Sequence, residues 1–158
     1  MPHGIHPLDR PAVPKDGRWQ RGAIVDAIYL ADSDDTAVAE WYRWLAEFGL
    51  PPERALPVDV WEVDVDLTEV ADLSGDERLA AEGLAPPVPD RRSWSPYQAV
   101  GERLAAEGIS AIVAPSSARA GGQTLCVFVA GSGLASLSPV SRRRTHRRPP
   151  APPRGLRT

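Results

Sequence analysis

The chain has 158 residues with 42% apolar content, which favours one domain around one sizeable core and excludes a wholly disordered protein. A single cysteine, Cys126, excludes an internal disulfide framework and fits a reducing cytoplasm; no apolar run is long enough for a membrane span, and Met1 is followed by Pro, His and Gly rather than by a signal peptide. The net charge of −3 hides an asymmetry: residues 131–158 hold seven arginines (142, 143, 144, 147, 148, 154 and 157) and no acid, so residues 1–130 set eleven basic residues against all 21 acidic ones.

Residues 1–16, rich in Pro and His without periodicity, read as an irregular arm. Ala23 to Ala31 (AIVDAIYLA) is apolar and partly β-branched, as a strand should be. Ser33, Asp34 and Asp35 then offer caps and first-turn negative charge for a helix over about Thr36 to Phe48, with Val38, Trp41, Leu45 and Phe48 on one stripe and Gly49 and Pro51-Pro52 as the stop. Val58 to Leu67 (VDVWEVDVDL) alternates, so Trp61, Val63, Val65 and Leu67 oppose Glu62, Asp64 and Asp66 on a strand with one wet face. A short helix over Gly75 to Glu82 and a proline-rich loop from Pro86 to Asp90 follow. A helix over Ser95 to Glu107, with Pro96 at its first turn and Gly108 after its end, leads into two short strands, Ile109 to Ala114 and Thr124 to Ala130. This order predicts an α+β fold: a compact single domain over residues 17–130, a small mixed sheet with flanking helices. Residues 131–158, Arg- and Pro-rich and poor in apolar residues, are expected to form a disordered tail.

Four places carry residues suited to chemistry, each with a plainer reading beside it. Arg18, between Gly17 and Trp19, has a fork of donors that suits a phosphate, or is a surface arginine after a turn. Tyr29, in an otherwise apolar strand, offers a ring for stacking and a hydroxyl for a ribose, or is a core tyrosine. Glu40, beside Trp41, could stabilise a developing oxocarbenium ion, or is a helix glutamate paired with Arg43. Ser116 and Ser117 share a loop with Arg119, Gly121 and Gly122 that could bind an anion, or that only turns the chain. The three histidines lie in the arm and the tail, so no Ser-His-Asp set is expected. Glu62, Asp64 and Asp66 read as a solvated strand face rather than a metal site, and Cys126 as core; no metal site is predicted.

Together these segments resemble the RES-domain family, in the Gly17-Arg18-Trp19, Ile28-Tyr29-Leu30-Ala31, Ala37-Val38-Ala39-Glu40 and Pro115-Ser116 motifs, over about residues 17–129. The resemblance implies a fold akin to ADP-ribosyltransferases. It also implies cleavage of the nicotinamide–ribose bond of NAD, as an NAD phosphorylase or NAD glycohydrolase, with NAD as substrate rather than cofactor and phosphate or water as acceptor. By the same resemblance Arg18, Glu40 and Ser116 are the expected catalytic residues, and Arg18, Tyr29, Ser116 and Ser117 the expected ligand-binding ones. Many family members are cytoplasmic toxins of toxin–antitoxin pairs, so an antitoxin with a helix-turn-helix domain is the expected partner. Homo-oligomerisation is left open, and neither membrane nor nucleic acid is an expected partner. Two alternatives stand beside this reading: ADP-ribosyl transfer to a macromolecule, and a non-catalytic module whose basic tail binds nucleic acid.

Overall fold

A computed structural model describes residues 1–130 and 133–157. Its first strand, β1 (Ala27–Ala31), is followed by helix α1 (Asp34–Glu47), β2 (Val58–Val65), the short β3 (Val70–Asp72), α2 (Asp76–Ala81), α3 (Trp94–Ala106), β4 (Ala111–Pro115), β5 (Gln123–Phe128) and β6 (Leu137–His146). Four strands form one sheet in the order β1-β5-β4-β3, antiparallel except for the β3–β4 pair, and β2 with β6 forms a separate antiparallel ribbon. The architecture is the α+β single domain with mixed strands expected from the element order.

The period of the strands sorts their side chains onto the two faces of the larger sheet. Ala27, Ile112, Ala114, Cys126 and Phe128 face a core built with Leu79 of α2, Tyr97 and Leu104 of α3, and Trp19. Ile28, Ala111 and Val127 face the other way, against Val63, Leu67 and Leu137 from the ribbon side. Tyr29 sits opposite Cys126 in the β1–β5 register, which puts it on the α3 face of the sheet.

The structure corrects several sequence-based expectations. The first strand starts at Ala27, because residues 21–25 close a turn in which the Ile24 and Val25 N–H groups donate to Arg21 O. In α1, capped by the Ser33 side chain accepting from the Thr36 N–H, the buried residues are Thr36, Ala39 and Leu45, while Phe48 is 53% exposed. The stripe is displaced because the chain at Gly122 presses on the first turn: a Cβ there would lie 2.5 Å from Thr36 Oγ1. Helix α3 starts before the expected Ser95 cap, since Asp90 caps a preceding 3₁₀ turn, Arg91–Ser93, that runs straight into it. β2 follows the expected segment with two register shifts against β6.

The largest difference is the tail. Residues 137–146, expected to be disordered, pair along the whole of β2 from Val58↔His146 to Val65↔Leu137. Leu137 is buried, the Arg142 guanidinium lies 5.3 Å from the Trp61 ring centroid, and Arg142 Nε is 3.4 Å from Asp59 Oδ2. The arginine stems thus cover apolar surface while their heads meet an acid, which composition alone does not register. Gly131, Ser132 and Thr158, assigned to the same tail, lie outside the described residues.

The arm is tied to the ribbon at its start: the Met1 amino group donates to Asp59 O, the Asp59 N–H donates to Met1 O, and Pro2 forms a bridge with Val58. Arg10 is clamped to the Asp26 carboxylate and donates to Ala27 O.

Candidate active site

The Gly17–Gln20 turn is closed by the Gly17 N–H donating to Gln20 O, and Gln98 of α3 donates to Gly17 O. This holds Trp19 in the core, edge-on to Tyr97 with ring centroids 5.4 Å apart. Arg18, itself buried, lies over two rings of α3, its guanidinium carbon 5.1 Å from the Tyr97 centroid and 5.9 Å from that of Trp94. Nη2 donates to Val88 O at 2.6 Å and Nη1 to Ser93 Oγ at 3.5 Å, so the proline-rich loop and the start of α3 cradle it. Burial lowers the Arg18 pKa, Tyr97 and Glu40 oppose the shift, and Arg43 adds to it; the group stays a cation at neutral pH.

Tyr29 splits between two environments. Its ring is 41% exposed, whereas its hydroxyl accepts from the Trp19 N–H at 3.0 Å and donates to Gln20 Oε1 at 2.6 Å, both on buried residues. Burial accordingly raises its pKa well above the ordinary value. The hydroxyl is therefore committed to the Arg18 turn, and the exposed part of Tyr29 is its ring. Gly17 permits this approach, since a Cβ on it would meet Tyr29 Oη at 2.3 Å.

Glu40, on α1, is held from two sides. Ser116 Oγ donates to Glu40 Oε1 at 2.8 Å, and Arg43 Nε donates to Oε2 at 2.9 Å. The pairing with Arg43, which the plainer reading expected, coexists with a link to the serine loop. Arg43 in turn bonds Glu47, which pairs with Arg91, whose guanidinium lies 4.9 Å from the Trp94 centroid. A chain of alternating charge thus runs from the serine loop to the aromatic cradle of Arg18.

The loop after β4 is built around Ser116. Its N–H donates to Gly122 O, and its Oγ accepts from the N–H groups of Ala118 and Arg119, each at 3.1 Å. The hydrogen bond to Glu40 comes from Ser116; Ser117 is buried beside it and makes none to that carboxylate. A cavity of about 290 Å³ opens at this loop, lined among others by Ser116, Arg119, Gly122 and Arg157. Arg119 reaches Thr36 Oγ1 at 3.4 Å and Asp35 Oδ2 at 3.5 Å, and its buried Nε has no partner.

Ser116, Glu40 and Arg43 are in direct contact, while Arg18 and Tyr29 belong to a second cluster around the Gly17–Gln20 turn; of these predicted residues Ser116 alone lines the cavity. Sequence reasoning missed Trp94 and Tyr97 beneath Arg18, Gln20 as the partner of Tyr29, and Arg157 at the cavity. Trp94 and Tyr97 stand three apart on one helix face, a spacing that could have announced the cradle. Glu62, Asp64 and Asp66 are exposed, and among the described residues no group of three or more His, Cys, Asp or Glu is placed to hold a metal. No helix among them is long and apolar enough to cross a membrane.

The family model described as the RES domain matches residues 3–148, reaching into both the arm and the basic tail. Among solved structures, a chain of the crystal structure of the M. tuberculosis MbcT–MbcA toxin–antitoxin complex is similar, with a TM-score of 0.64 and 27% identity, covering 82% of this chain and 70% of that one. No curated protein matches the chain.

Proposed function

The chain belongs to the RES-domain family, and we propose that it degrades NAD by breaking the nicotinamide–ribose bond, as the toxin of a toxin–antitoxin pair. The observation that carries the reading is the Ser116–Glu40 hydrogen bond of 2.8 Å, which joins two segments 76 residues apart, with Ser116 itself lining a cavity. Ser116 and Arg43 hold the two carboxylate oxygens, so Glu40 needs no reorganisation to face a positive charge. Its task is to stabilise the ribosyl cation that forms as the C–N bond lengthens. The bonding pair leaves with the nicotinamide nitrogen, which loses its positive charge. Phosphate or water then adds to the ribosyl carbon, giving ADP-ribose 1″-phosphate or, with loss of a proton, ADP-ribose. Arg18, a buried cation on an aromatic cradle, supplies the clamp for a phosphate, and the exposed Tyr29 ring supplies a stacking surface. The likeness to a toxin–antitoxin complex supports an antitoxin as partner, with a helix-turn-helix domain expected in it.

The test is NAD loss and product mass for purified protein, with and without phosphate, beside Glu40→Ala and Arg18→Ala. NAD consumption by wild type and its loss in both folded variants is the expected result, and the product mass names the acceptor. Folded wild type that leaves NAD intact under both conditions would overturn the reading.

A further inference from the structure

Beyond β6 the chain crosses back over the molecule. Tyr42 Oη on α1 donates to Pro150 O at 2.5 Å. Seven residues later the backbone joins the serine loop: the Arg157 N–H donates to Ala118 O at 2.7 Å, the Ala120 N–H donates to Gly155 O at 2.8 Å, and Arg119 and Leu156 form a bridge between them. Leu156 is half-buried by this pairing. The family match ends at residue 148, so this strap lies beyond the matched residues.

The strap brings Arg157 to the cavity that holds Ser116, Arg119, Gly121 and Gly122. Two guanidinium-bearing residues and one carboxylate, Asp76, line that cavity. Arg157 makes no ion pair among the described residues, and the buried Arg119 Nε has no acceptor. Arg119 leans on Asp35, which leaves Arg157 as the cation of this cavity with no ion pair among the described residues; beside an unpaired buried donor it suits an anion, and an arginine fork suits a phosphate or diphosphate.

We propose that the strap 149–157 is a wall of the substrate site and that Arg157, with Arg119, binds the diphosphate of the dinucleotide. This assignment rests on the NAD-cleaving reading for its substrate, but the anion site stands on its own geometry. Arg157 enters through its side chain only, since its backbone N–H already holds the serine loop.

The experiment compares wild type, Arg157→Ala and Arg157→Lys in three readouts: steady-state kinetics on NAD, calorimetric titration with inorganic pyrophosphate, and the melting temperature. The expected result for Arg157→Ala is a KM for NAD raised at least about tenfold, with kcat and melting temperature close to wild type, because the strap's backbone bonds remain. Pyrophosphate affinity should fall in parallel, and Arg157→Lys should recover part of both. Unchanged KM and pyrophosphate affinity in Arg157→Ala would overturn the assignment, as would a fall in melting temperature that accounts for the whole loss. Wild type that binds pyrophosphate through Arg157 yet leaves NAD intact would refute the NAD reading and keep the anion site.

Discussion

Removing the Ser116 hydroxyl tests whether the loop and the carboxylate form one unit. Ser116 is 2% exposed, and in Ser116→Ala its oxygen is lost to three partners at once: Glu40 Oε1, the Ala118 N–H and the Arg119 N–H. A hydrogen bond to a charged group contributes about 1.5–3 kcal/mol, and a buried N–H left without an acceptor costs about 1–3 kcal/mol. The cavity beside the loop lets water reach part of this set, so the sum is capped at about 3 kcal/mol, worth about 6–12 °C in melting temperature for a domain of this size. Ser117→Ala is the control, since its hydroxyl makes no bond to Glu40, and it should cost less than about 1 kcal/mol. Thermal melts of the three proteins decide the matter, with NAD consumption measured well below the lower melting point. If Ser116→Ala melts within about 2 °C of wild type, or above Ser117→Ala, the three-partner role of this hydroxyl is wrong.

Gly17→Ala forces a methyl group to within 2.3 Å of Tyr29 Oη and should destabilise by about 1–3 kcal/mol, whereas Gly75→Ala, with nothing within 4 Å, should cost only its N-cap preference, less than about 1 kcal/mol; urea titration separates them. Arg18→Lys keeps the charge but not the planar stack on Tyr97 and Trp94, so KM for NAD should rise by about tenfold in steady-state assays. For Asp59, burial raises the carboxyl pKa, but the bonds from His3, Thr145 and Gly4 and the charge of Arg142 outweigh it and bring the group to about 2, below its ordinary 3.8. A depressed folded pKa stabilises fully above the unfolded value and loses that contribution as pH falls through the folded one. Wild type should therefore lose stability between pH 3.8 and about 2 more steeply than Asp59→Asn, and parallel curves across that window would refute the role.

Much of the fold was legible because its signals are local. Ser33 with Asp34 and Asp35 announces α1, and the apolar runs around Ile112 and Val127 announce the central strands. The candidate site was legible only in pieces: Glu40 and Ser116 could each be picked out, but their contact spans 76 residues, beyond the reach of local signals. The partners of the Tyr29 hydroxyl were not legible, because Trp19 and Gln20 lie across a turn that sequence does not close.

The tail was misread for a different reason. A composition count scores arginine only as charge, and the excess of acid in residues 1–130 then looks unrelated to the excess of base after them. The β2–β6 ribbon shows the two belong to one structure, yet charge is not what mainly holds it. Cross-strand pairs of opposite charge contribute about 0.2–1 kcal/mol each, and Arg142 beside Asp59 is one such contact at 3.4 Å. The ladder from Val58 to Val65, the burial of Leu137 and the lid of Arg142 over Trp61 supply the rest. Beyond β6, fixed in this way, the chain turns back over Tyr42 and brings Arg157 to the serine loop. A strand that composition marked as disordered is thus the anchor for the segment that completes the cavity wall.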